Sequence, residues 1–199
     1  MRDGPEKTEG ARERKRRETL RRIAETGLKL FAEKGYDATT LEDIAEAADI
    51  SPRTFFYYFK TKDEILKFWQ GSGILDALRP TLLAEDKHQS PLDTVEHCLL
   101  KLISRYESEK AVVVDRIFNS SETLRARKQA IYFAMEQMVF ETLCELWPEP
   151  ERRAELRMVA MMSIGAMRLA MEARRQQDGQ RALAAYLRDS FAILRGQIL

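Results

Sequence analysis

From Arg12 onward, apolar residues return at steps of three and four in almost every segment, and this spacing leaves little room for anything but helix. The β-branched run Val112, Val113 and Val114 is the one place where a strand is a serious rival, and it is too isolated to build a sheet. Helix breakers are scarce, with 9 glycines and 6 prolines, so the helices run long. The expected class is therefore all-α, in a chain of 199 residues that has length for one ordinary domain or two small ones. Apolar residues at 44% and charged residues at 33% exclude a disordered polymer. The greasiest stretch, Met158 to Met171, is broken by Ser163 and Arg168 and falls short of the ~20 residues a membrane span needs. Cys98 and Cys144, each on a helical pattern among apolar neighbours, make no disulfide framework, and a reducing cytoplasm is the expected location.

Residues 1–11 read as a disordered polar leader. A first helix then carries Leu20, Ile23, Ala24, Gly27, Leu28 and Phe31 along one face and ends at Gly35. Thr39 with Glu42 reads as a capping box opening a second helix, with Leu41, Ile44, Ala45 and Ala48 inside. That helix stops around Asp49. Ser51 as N-cap and Pro52 at the first helical position start a third, and Thr61 with Glu64 reads as a box starting a fourth. Gly71-Ser-Gly73 interrupts the pattern, and further helices are expected over 92–106, 111–118, 121–146, 151–175 and 180–195. The domains are placed at 12–61 and 62–199.

Residues 40–60 carry the functional signal. A short capped helix, a turn of about three residues and a second short helix are the layout of a helix-turn-helix. Ala45 and Ala48 let the two helices cross closely, while Ile44, Ile50 and Phe55 fill the angle. The second helix would present Pro52, Arg53 and Thr54 to base edges, where Arg pairs bidentately with guanine and Thr touches a thymine methyl. Tyr57, Tyr58 and Lys60 would reach phosphates, and so would the helix start at Lys62. Thr40 and Ser51, at the heads of the two helices, complete the expected DNA-binding set. Phe55, Phe56 and Phe59 are expected in the core of this small domain, and one of the two tyrosines can point inward.

Charge distribution agrees. The net charge is only +1, yet Arg12, Arg14, Lys15, Arg16, Arg17, Arg21 and Arg22 cluster in one stretch, and Arg53 to Lys62 contains no acid. Glu25, Glu33, Asp37, Glu42, Asp43, Glu46 and Asp49 lie between.

The span from Thr19 to Leu66 resembles the DNA-binding domain of the TetR (tetracycline-repressor-like) transcriptional regulators. The residues carrying the resemblance are Leu30-Phe31, Lys34-Gly35-Tyr36, Thr39-Thr40, Ile44-Ala45, Ala48, Ile50-Ser51, Thr54, Phe55, Phe56, Tyr58-Phe59, Lys62 and Ile65-Leu66. Two positions depart from the family pattern: Asp49 and Arg53 stand where glycine is usual, and the second change forbids borrowing an operator sequence from relatives. The resemblance implies a homodimer that binds a palindromic double-stranded DNA operator, most simply as a repressor released by a small-molecule effector. The alternative is a helical small-molecule carrier without operator binding.

In the remaining two-thirds, Ala160, Ser163, Ala166 and Ala170 form a small-residue face, and Leu183, Tyr186, Leu187, Ser190, Phe191 and Leu194 form a stripe on the last helix. Two such helices from each subunit would make a four-helix bundle, although the same stripes can close a monomer core. Every methionine but the first lies between 135 and 171. Met135 and Met138, with Phe133 and Trp69, are the expected lining of an apolar pocket. Arg168 either meets an anionic group there or pairs with Glu172. No catalytic set, metal site or cofactor is expected. His97 and Cys98 are adjacent on a helix and do not face each other, and no H-E-x-x-H or phosphate-binding glycine loop occurs.

Overall fold

The computed structural model describes residues 10–69, 72–106, 109–177 and 179–198, and no strand occurs among them. The chain divides into two compact units between Trp69 and Gln70. The leader through residue 9 lies outside the described residues, and helix already begins at Ala11.

In the first unit α1 (Ala11–Lys34) buries Ile23, Ala24, Gly27, Leu28 and Phe31, while residues 11–18 are all exposed. Gly35 ends it at φ 87°, a left-handed angle that costs glycine nothing. The capping box of α2 (Leu41–Ala47) is one residue later than the sequence reading places it. Thr40 accepts from the Asp43 N–H, and Asp43 takes the Thr40 N–H. Thr39 is instead buried and donates to the Gly35 carbonyl at 2.7 Å. In the turn, Asp49 adopts φ 52°, and the Ile50 N–H bonds the Ala45 carbonyl at 3.0 Å. Short polar side chains visit this region at less cost than most, so Asp stands in for glycine.

Ser51 caps α3 (Pro52–Tyr58) by accepting from the Thr54 N–H, as expected. Phe55 and Phe59 are buried. Phe56 is 40% exposed and is not core, because position 56 turns about 100° away from 55. The anticipated Thr61–Glu64 box takes another form, in which the Glu64 carboxylate accepts the Lys60 N–H at 2.6 Å. Ahead of α4 (Lys62–Trp69) the chain is thereby pinned. This helix buries Ile65 and Leu66 completely and packs on α1, so it groups with the first unit and not with the second.

The second unit comprises α5 (Ser72–Leu83), α6 (Pro91–Tyr106), α7 (Glu109–Phe118), α8 (Glu122–Leu146), α9 (Arg153–Gln176) and α10 (Leu183–Ile198). A single 3-10 turn, Pro150–Arg152, precedes α9. The valine run is helical, with Val114 buried in α7. Leu78 and Leu82, Val95 and Leu99, Val139 and Leu143, and Leu156 and Ile164 join one core with the inner face of α10. Each fully buried side chain of this size contributes about 1.5–3 kcal/mol.

The stripes assigned to a dimer lie inside this core. Ala160, Ser163, Ala166, Ala170, Leu183, Tyr186, Leu187 and Phe191 are all buried within the single chain, and Leu194 is half-buried. They fail as an interface because α9 packs most extensively on α10, and small residues along α9 are what admit that approach. What α9 leaves in solvent is a different face: Met158, Met161, Gly165 and Leu169, again at steps of three and four. On α10, Ile193 is 57% exposed.

Candidate nucleic-acid interface

The third helix is anchored from beneath. Phe55 is fully buried and Phe59 nearly so, with ring centroids 6.1 Å apart, and Phe59 meets Phe68 of α4 edge-on at 6.3 Å. One buried ring on this helix of seven residues and a second at the residue that ends it fix its rotation and leave Pro52, Arg53, Phe56 and Tyr57 outward. Tyr57 is 66% exposed, and its ring stands perpendicular to that of half-buried Tyr58 at 5.1 Å. A large aromatic left in water on a small, otherwise well-packed unit is the unusual feature here.

At the head of α3, Ser51 Oγ accepts the Thr54 N–H at 3.1 Å, and the two hydroxyls lie 2.9 Å apart. One hydroxyl proton is used between them, so the pair retains one donor to offer outward. Arg53 is exposed. Lys60 is exposed as well, and its ammonium donates to the Phe56 carbonyl at 2.6 Å, capping the last turn of α3.

Two residues of the expected set are committed elsewhere. Thr40 Oγ1 donates to Asp43 Oδ2 at 2.7 Å, and the Thr40 N–H goes to the same oxygen at 2.8 Å. These bonds, with Lys34 nearby, hold the Asp43 carboxyl below its usual range. Lys62 Nζ donates to the Tyr36 and Thr39 carbonyls, each at 2.8 Å, and approaches that of Asp37 at 3.4 Å. It also lies 4.6 Å from the centre of the Tyr36 ring. An ammonium has three protons, so the Lys62 side chain straps the loop between α1 and α2, and the phosphate contact expected of the helix start there would have to come from its backbone N–H groups. Tyr36 Oη in turn hydrogen-bonds Asp63 of α4. Basic residues before Thr19 on α1 are all exposed, and further along Arg21 pairs with Glu25 at 3.2 Å.

The expected ligand lining does not converge. Met135 is buried and Phe133 is 60% exposed, since positions two apart face opposite sides of a helix. Met138 packs at the core margin, and the side chain of Trp69 lies outside the described residues. Arg168 is exposed with its guanidinium 5.5 Å over the Tyr132 ring. The polar group that single-sequence reading missed is Asp115, 8% exposed, which binds Lys128 and Arg175, the latter at 3.1 Å. Its members come from α7, α8 and α9, and no local spacing announces them. Among the described residues no set of His, Cys, Asp and Glu is grouped to hold a metal ion, and no helix is long and apolar enough to cross a membrane.

Residues 23–67 match the family model of bacterial regulatory proteins, tetR family. The chain is 33% identical over 106 residues to the HTH-type transcriptional regulator TcmR of Streptomyces glaucescens, covering 53% of this chain and 46% of TcmR. It therefore spans less than half the length of that relative. In fold it is similar to the fatty acid degradation regulator FadR of Bacillus halodurans, with a TM-score of 0.65 and 18% identity over 96% of this chain and 98% of the other. SmeT in its triclosan complex gives 0.63 at 17% identity, over 88% and 91%. These two likenesses are of fold.

Proposed function

We propose that this chain, which belongs to the tetR family through residues 23–67, is a sequence-specific DNA-binding transcriptional regulator. The observation that carries the reading is the outward face of α3, where Arg53 and Tyr57 stand in solvent on a helix locked by Phe55 and Phe59. A duplex is read by a helix held rigidly enough that its N-terminal side chains meet base edges in a fixed register. Arg53 supplies a bidentate guanine contact. Thr54 and Ser51 share one free hydroxyl proton, and Tyr57, Tyr58 and Lys60 flank the groove towards phosphates. Thr40 and Lys62 shape the surface without touching the backbone through their side chains. The exposed basic turns of α1 add sequence-independent attraction.

The regulator acts in the cytoplasm as a homodimer and represses from a palindromic operator, with half-sites about 34 Å apart as a two-fold dimer requires. The face that joins the copies is Met158, Met161, Gly165 and Leu169 of α9 with Ile193 of α10. Exposed apolar residues at helical spacing favour burial against their own symmetry mate, and a Cβ at Gly165 would meet nothing, which leaves room for close helix approach. A small-molecule effector releases the DNA; coupling of ~1–3 kcal/mol between the two sites gives a 5- to 150-fold response. The chain performs no catalysis in this reading.

The experiment is retardation of duplexes drawn from DNA flanking the chain's own gene, against random duplex, at moderate salt. Specific retardation supports the regulator. Its absence at every salt concentration supports a helical carrier instead.

A further inference from the structure

Phe56 is an outward residue of α3 that the regulator reading leaves without a partner. Among the described residues of the first unit, Phe56 and Tyr57 are the two large hydrophobic side chains left exposed, and both belong to α3. Tyr57 ends in a hydroxyl that can meet a phosphate. Phe56 has no donor and no acceptor, so it gains only by covering apolar surface.

At about 100° per residue, the outward side chains of α3 span an arc of about 140° in the order Pro52, Phe56, Arg53, Tyr57. Pro52 and Tyr57 form the margins. Phe56 and Arg53 share the middle, where a helix seated in the major groove faces base edges. Three residues apart, they are separated by about 4.5 Å along the helix axis, against about 3.4 Å between stacked base pairs. The Phe56 ring is also held in place. It stands perpendicular to the fully buried Phe55 ring with centroids 5.9 Å apart, and the Phe56 carbonyl accepts from the Lys60 ammonium at 2.6 Å. A ring positioned in advance loses little freedom when it is covered.

In the major groove, the apolar group that a base edge presents is the C5 methyl of thymine. Thr54 is the other side chain of α3 suited to it, but Thr54 lies about 160° around the helix from Phe56, is half-buried, and has its hydroxyl against that of Ser51. We infer that Phe56 is a specificity-determining residue whose ring covers the C5 methyl of a thymine beside the base pair that Arg53 meets. The inference deepens the regulator reading of α3 and rests on it.

Duplexes enriched by the full chain from a random library supply the probe. Each thymine is replaced in turn by deoxyuridine, which removes the methyl and keeps the pairing, and affinity is read by fluorescence anisotropy at matched salt. Losing one buried methyl predicts a weakening of about fourfold at one thymine position. With Phe56→Ala, the thymine and uracil duplexes are expected to bind equally, whereas Phe56→Leu is expected to keep the preference. The ratio is taken within each variant, so a change in folding stability cancels. A uracil scan without effect, an enriched sequence without thymine, or a thymine-to-uracil ratio unchanged in Phe56→Ala overturns the inference and leaves the regulator reading standing. If no sequence is enriched over random duplex, the regulator reading falls and takes this inference with it.

Discussion

Ile65 of α4 packs directly on Gly27 of α1, so closely that a Cβ on Gly27 would lie 2.9 Å from Ile65 Cδ1 and 3.1 Å from its Cγ2. Ile65 is fully buried and has nowhere to retreat. Gly27→Ala gains about 1 kcal/mol of helix propensity and loses ~1–3 kcal/mol to overpacking, for a net loss near 1 kcal/mol in denaturant unfolding. Ile65→Val removes the closest methyl. The double variant is expected to recover part of the loss, with a coupling of about 0.5–1 kcal/mol.

Lys62 separates a structural from a nucleic-acid role. Lys62→Met leaves the Tyr36 and Thr39 carbonyls without their ammonium partner, and a stability loss of ~1–3 kcal/mol follows. The slope of log affinity for DNA against log salt is expected to stay at the wild-type value. A slope reduced by about one unit would return Lys62 to the phosphate contacts.

Much of the first unit was legible because its signals are local. Ser51-Pro52 starts a helix wherever it occurs, and Phe55 and Phe59 sit four apart on the face that must be covered. The errors there are of one residue: Thr40 and Asp43 form the box that Thr39 and Glu42 seemed to spell, because both pairs have suitable residue types and only backbone geometry chooses between them. Phe56 looked like core by composition and is outward by phase. In the second unit the small-residue stripe on α9 was visible, but not its partner. Ala160 and Ala170 look the same against α10 as against another subunit, and only burial within one chain decides. The charged cluster at Asp115 was illegible, since Asp115, Lys128 and Arg175 are brought together by tertiary packing alone.

The exposed face of α9 yields a mass measurement. Met161→Glu and Ile193→Glu each place a charge on a surface that is open in the single chain, so monomer stability should change by less than about 0.5 kcal/mol. Sedimentation velocity is expected to show a dimer for the wild-type chain and a monomer for the double variant. A double variant that remains dimeric places the interface elsewhere.

Stability should fall on the alkaline side. Burial pushes the Cys98 thiol up to about 12 from 9.0 and the Tyr132 phenol up to about 12 from 10.0. Both groups stay protonated when folded and ionise freely when unfolded. Their contribution is complete below pH 9 and is lost as pH rises towards 12. Urea midpoints over that range should decline, and Cys98→Ala should flatten the decline. An equal slope in the variant would show that the thiol titrates normally.

The most direct test of the central claim compares Arg53→Ala with the wild-type chain by fluorescence anisotropy on a retarded operator duplex and on random duplex, at matched salt. The substitution is expected to cost about 1–3 kcal/mol on the operator, to relax preference at one base step, and to leave random-duplex binding nearly unchanged. Equal losses on both duplexes, or none on either, would contradict the claim that α3 reads bases through its leading guanidinium.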